Sequence, residues 1–107
     1  MSDPEPARGS GPAVLELGEQ IGAAVIYTKG VHDGAELEIK PHASEWNGQH
    51  TAIRRRRGNR DGREVYAALF FGLQAGSYDV RLRGNTSMPA LAIDVVGGEV
   101  TEEHLTA

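Results

Sequence analysis

The stretch Glu64-Val65-Tyr66-Ala67-Ala68-Leu69-Phe70-Phe71, followed beyond the glycine-bounded segment 72–76 by Ser77-Tyr78-Asp79-Val80-Arg81-Leu82-Arg83, decides the fold class. Successive side chains of a pleated strand point to opposite faces. Val65, Ala67, Leu69 and Phe71 therefore share one face, and Tyr66, Ala68 and Phe70 share the other. A strand apolar on both faces reads as the central strand of a sheet. The second segment alternates, with Tyr78, Val80 and Leu82 inward against Asp79, Arg81 and Arg83 outward, as a half-buried strand does.

The same two-residue rhythm continues in both directions. Upstream, Ile21 to Thr28 places Ile21, Ala23, Val25 and Tyr27 on one face with Ile26 on the other, and residues 35–40 set Leu37 and Ile39 against Glu36, Glu38 and Lys40. Gln49 to Arg56 reads as one strand, with Thr51 and Ile53 on one side, and Asn59-Arg60-Asp61-Gly62 as the tight turn that lets the next strand pair back. Downstream, Ala90 to Val96 aligns Leu91, Ile93 and Val95, and Gly97-Gly98 suggests a hairpin into an edge strand, Glu99 to Leu105. A short strand is also expected over Ala13 to Leu17, after a flexible tail spanning residues 1–12 that is rich in Pro, Gly and Ser. No long window repeats with the 3.6-residue period of a helix. The expected fold is all-β, a single antiparallel β-sandwich of about seven or eight short strands over residues 13–107.

Bulk properties narrow the function classes. The 107 residues suit one domain, and 39% hydrophobic with 24% charged residues is a globular balance. A net charge of -4 opposes general binding to a polyanion, although a local basic site can still hold one. The absence of cysteine excludes disulfides, thiolate metal sites and cysteine nucleophiles. No apolar run approaches the ~20 residues that cross a bilayer, and the acidic, proline-rich beginning lacks an export signal, so a cytoplasmic location is expected.

The segment Phe70-Phe71-Gly72-Leu73-Gln74-Ala75-Gly76-Ser77-Tyr78-Asp79-Val80 follows an aromatic-x-Gly-Leu-x-x-Gly-x-Tyr-x-Val pattern. In this it resembles the prealbumin-like β-sandwiches, which include transthyretin, carboxypeptidase regulatory-like and Cna-B-type modules. The physical reading is that Leu73 plugs one end of the core, Gly76 permits a reversal and Tyr78 begins the next strand inward. The resemblance, centred on residues 61–80, implies a prealbumin-like or immunoglobulin-like sandwich and transfers no activity. The Lys–Asn crosslink of Cna-B modules is not implied, because no Glu follows Tyr78 in its strand and the last two strands hold no Asn. Hydroxyisourate hydrolases end in Tyr-Arg-Gly-Ser, whereas this chain ends Glu103-His104-Leu105-Thr106-Ala107.

The most unusual local feature is Arg54, Arg55, Arg56, Arg57, Arg60 and Arg63, set against the one acid Asp61 between positions 54 and 63. Consecutive arginines point to both faces of a strand, which a covered strand cannot accept, so this hairpin projects beyond the sandwich or lies at an edge. Guanidinium forks suit phosphate, nucleic acid or an acidic partner. The competing role is edge protection, with the arginines paired to Glu36, Glu38 or other acids.

Trp46, in the polar loop Glu45-Trp46-Asn47-Gly48-Gln49, offers either a stacking face for a ligand such as a sugar or a cap over the open end of the sandwich. His32, His42, His50 and His104 form no zinc-type spacing and read as surface loop residues. Ser44, Ser77 and Ser87 lack a nucleophile-elbow context. The expectation is a non-enzymatic binding or interaction module, acting through the arginine hairpin or the end loops. Its partner would be a protein or an anionic ligand, with nucleic acid not favoured, no membrane, no cofactor and no metal, and it would be a monomer or an edge-strand homodimer. The alternative is a small hydrolase or metal-assisted enzyme in which His42, His50 and Glu45 converge.

Overall fold

The computed structural model describes residues 20–57, 63–85 and 88–106. The strand expected over Ala13 to Leu17, the turn at 59–62 with Arg60, and Ser87 lie outside the described residues. Eight strands follow in order: β1 (Ile21–Thr28), β2 (Glu36–Pro41), β3 (His50–Ala52), β4 (Arg54–Arg57), β5 (Glu64–Gln74), β6 (Gly76–Leu82), β7 (Leu91–Val95) and β8 (Val100–His104). They form two four-stranded sheets, β4-β5-β1-β8 (sheet A) and β3-β2-β6-β7 (sheet B). The protein is an all-β sandwich.

The core is the meeting of the two inner faces. From sheet A come Ala24, Ile26, Ala68, Phe70 and Leu73, and from sheet B Leu37, Ile39, Tyr78, Val80, Leu82, Ile93 and Val95, all buried in one cluster. Apart from Leu73, each set follows the alternation read from sequence, because hiding every second side chain is how a half-covered sheet removes apolar surface from water.

Four departures from the expected layout have physical causes. First, the single strand expected over Gln49 to Arg56 is two strands in different sheets, divided at Ile53. Ile53 is fully buried, and its backbone pairs out of both ladders: its N–H donates to Ala35 O at 2.8 Å and its carbonyl accepts from Gly34 N at 2.9 Å. Second, β5 runs three residues beyond Phe71, because a bulge absorbs one extra residue: Gly22 opposes Leu73 while Ala24 opposes Phe70. Gly72, at φ 69, adopts the left-handed backbone that such a bulge favours. The parity switch is why Phe70 and Leu73, three apart, both face the core while Phe71 stays 66% exposed.

Third, the segment 72–76 is not a turn within one sheet. Only Ala75 separates β5 of sheet A from β6 of sheet B, and the Tyr78 hydroxyl donates to Gln74 O at 2.6 Å across that corner. This is the bracing role of a tyrosine corner. Gly97-Gly98 likewise joins strands of different sheets rather than a hairpin, with Gly98 N donating to Ile21 O at 2.8 Å. Fourth, β8 pairs with β1 in parallel, so the sandwich is antiparallel at every other pairing. As expected, β8 is an edge strand and β5 is central.

Candidate functional site

The two outer faces differ in how completely they satisfy their own charges. On sheet B the outward residues of β2 and β6 form a ladder of opposite signs, in keeping with the registers Glu38↔Arg81 and Lys40↔Asp79. Arg81 Nε donates to Glu38 Oε1 at 2.8 Å, Arg83 Nη1 to Glu36 Oε1 at 3.0 Å, and Lys40 Nζ to Asp79 Oδ2 at 3.0 Å. Arg83 Nε adds a longer contact of 3.9 Å to Glu38 Oε2. Glu38 is buried beneath these partners, which satisfies a carboxylate that would otherwise lose its hydration.

Trp46 lies over this ladder. The Arg81 guanidinium carbon sits 3.9 Å from the indole centroid and Lys40 Nζ 5.2 Å, both within cation–π range. The indole therefore rests on the outer face of sheet B, with its own cations against the ring, rather than capping the open end of the sandwich.

His42 and His50 engage separate carboxylates. His42 Nδ1 stands 2.9 Å from Asp79 Oδ1; an ionised Asp only accepts, so the ring donates from Nδ1. This hydrogen bond, aided by Lys40, holds the Asp79 carboxyl below its ordinary range despite opposing desolvation. His50 donates from Nδ1 to Gly48 O at 2.8 Å and places Nε2 3.6 Å from Glu36 Oε2. Among the described residues no three His, Asp or Glu side chains converge on a metal position, so His42, His50 and Glu45 are not brought together as a ligand set. Ser77, whose carbonyl accepts from His42 N at 2.9 Å, donates its hydroxyl to Asp94 Oδ1 at 2.7 Å. Ser44 is exposed. His104 stacks on Tyr27 at 5.1 Å between centroids, and His32 closes the short 3-10 turn Gly30–His32.

Sheet A is different. Its outer face carries Val25, Tyr27, Val65, Ala67 and Leu69 as the floor of a shallow trough, walled on one flank by Arg56, Arg57 and Arg63 and on the other by Glu102 and His104. Arg56 and Arg57 of this wall belong to β4, the edge strand whose four residues are all arginine, in register Arg54↔Ala67, Arg55↔Tyr66, Arg56↔Val65 and Arg57↔Glu64. The sequence-based placement at an edge holds.

The expected acid partners do not. Glu36 and Glu38 are engaged by Arg83 and Arg81 on the other sheet. Among the described residues, Glu64 is the carboxylate that reaches β4, at 3.7 Å from Arg55 Nε with both side chains well exposed. Arg56 Nε donates to Ala67 O at 3.3 Å, which pins that side chain along the trough. Arg54, Arg55 and Arg57 are exposed, as is Arg63 at the start of the return strand. The apolar floor beside the arginines is the part sequence reasoning missed; its signal was the second apolar face of β5, which could equally have been a buried face.

No family model matches the chain, and no curated protein matches it. Among solved structures, the chain is similar to part of a leucine-rich repeat protein from Bacteroides thetaiotaomicron VPI-5482, at 21% identity and a TM-score of 0.45. The match covers 82% of this chain and 12% of that one.

Proposed function

We propose that the chain is a non-enzymatic interaction module that takes an extended, acidic protein segment along the arginine edge of sheet A. One observation carries this reading: an edge strand made of four arginines, met among the described residues by the exposed Glu64, beside a half-exposed apolar trough. An edge strand has backbone groups that an added strand can pair with, and alternate acidic side chains, which share one face, would meet the guanidinium forks on that face. The trough beside the edge is only partly enclosed, which does not suit a small molecule that needs enclosure. Sheet B supports the choice by contrast, since its outer ions already neutralise one another.

We also read the domain as prealbumin-like. The support is the corner itself, where Leu73 plugs the core, Gly76 takes a positive φ of 152 and Tyr78 points inward, as the Gly-Leu-x-x-Gly-x-Tyr pattern implies.

Calorimetric titration with a peptide of alternating Glu and Val tests the binding reading, with heparin and RNA as parallel titrants. Saturable, salt-sensitive peptide binding that is lost in Arg54→Glu/Arg57→Glu is expected. Equal binding by that variant, or no heat from the peptide, would remove the reading; a response to RNA or heparin alone would replace it with a polyanion site.

A further inference from the structure

The two edges of sheet A are oppositely charged. At one edge stand Arg54 to Arg57; at the other, Glu102 and Glu103 lie in β8 and Glu99 immediately before it. Glu99 and Glu102 are exposed, and Val100 between them is 51% exposed. By strand alternation Val100 and Glu102 share the outer face with Val25 and Tyr27 of β1. Among the described residues neither edge strand has a strand paired on its far side.

We propose that the acidic segment taken by β4 is β8 of a second copy of this chain, so that molecules add side by side and sheet A continues from one to the next. The inference rests on the reading above that the arginine edge takes an acidic extended segment, and it names the source. Strand direction permits it. β4 is antiparallel to β5, β5 antiparallel to β1, and β1 parallel to β8, so β4 and β8 run the same way. A copy displaced sideways along the sheet, with only the usual sheet twist, brings its β8 beside β4 as a parallel pair.

Lengths and the faces of the charges also match. β4 has 4 residues and β8 has 5. By alternation Arg54 and Arg56 point to the outer face, where β8 presents Glu102, and Arg55 and Arg57 point to the opposite face, where it presents Glu103. The junction would cover Val100 and set guanidinium against carboxylate at the outer rim. Such a contact joins two different patches, so it does not close on itself as a twofold dimer does; it builds a ring or an open row.

Sedimentation velocity of the full chain, from micromolar to millimolar concentration at low and at high salt, tests this. At low salt the weight-average mass is expected to climb above the monomer's 11.5 kDa with concentration, and to fall back when salt screens the charges. Two charge reversals at exposed positions, Arg54→Glu/Arg57→Glu and Glu99→Lys/Glu102→Lys, should each remain monomeric, while an equimolar mixture of the two should associate again. Circular dichroism and thermal melts of each variant check that the fold persists. A wild type that stays at 11.5 kDa to millimolar concentration, reversals that associate as the wild type does, or a mixture that stays monomeric would overturn the proposal. If the acidic peptide still binds β4 while the chain stays monomeric, only the second-copy assignment falls; if the peptide also fails to bind, the partner reading falls with it.

Discussion

Replacing Ile53 by Ala strikes the point where the chain leaves sheet B for sheet A. The side chain is 0% exposed and belongs to the core cluster. Ala removes three carbon centres, and at ~0.8 kcal/mol per buried methylene the lost transfer energy is about 2.4 kcal/mol. The void left behind adds to this, because both neighbouring backbone segments are held by the Ile53 N–H bond to Ala35 O and the Gly34 N–H bond to Ile53 O. A total of about 3 to 4 kcal/mol follows, a large share of the ~5 to 15 kcal/mol that holds a domain together. Ile53→Val, which loses one carbon, should cost only ~0.5 to 1.5 kcal/mol. Urea unfolding followed by the fluorescence of Trp46, the single tryptophan, reads both variants. An Ile53→Ala midpoint within the range of Ile53→Val would mean that the crossing is not a packed hinge, and the division of this segment between the sheets would be wrong.

Other predictions test the corner, the ion ladder and the tightest backbone approach. Tyr78→Phe should lose about 0.5 to 1.5 kcal/mol by leaving Gln74 O without its donor, measured in the same unfolding assay. Burial also holds the Tyr78 hydroxyl above its ordinary pKa of 10.0, so its contribution is full below 10.0 and disappears as pH rises through the elevated folded value; the alkaline loss of stability should therefore be shallower in the Phe variant. Asp79 has the opposite sign: its carboxyl, lowered chiefly by the His42 hydrogen bond, contributes stability above its ordinary 3.8 that is lost as pH falls through the depressed folded value. Asp79→Asn should accordingly cost about 1 kcal/mol at neutral pH and almost nothing in strong acid, as read by thermal melts at the two pH values. Gly22→Ala would place a Cβ 2.5 Å from Val96 O and 2.8 Å from Val95 Cγ1, and should lower the melting temperature by an amount corresponding to about 1 to 3 kcal/mol.

The alternation in β1, β2, β6 and β7 was legible because each strand buries one face, and burial selects every second residue. What alternation cannot carry is a change of sheet. Gln49 to Arg56 kept its two-residue rhythm through Ile53, so nothing in the pattern marked the point where the backbone turns from one layer to the other. Nor could it show that Leu73 recovers the core side through a bulge; the glycine before it was the visible trace. The arginine strand was placed at an edge correctly, since four adjacent guanidiniums exclude any covered position. Of its expected partners, Glu36, Glu38 or other acids, Glu64 is another acid that reaches it, whereas Glu36 and Glu38 sit opposite Arg83 and Arg81, because charge balance in a sequence carries no information about which sheet an acid occupies. Trp46 was ambiguous for a similar reason: its stacking partners Arg81 and Lys40 come from two other strands.

The arginine edge as the binding surface is the claim on which the functional account stands, and amide chemical-shift mapping with the alternating Glu–Val peptide addresses it directly. The account predicts that shifts concentrate on Arg54 to Arg57 and the facing residues Glu64 to Ala67, fading with added salt. Shifts centred on Trp46 and the ladder of sheet B, or no shifts at all, would contradict it.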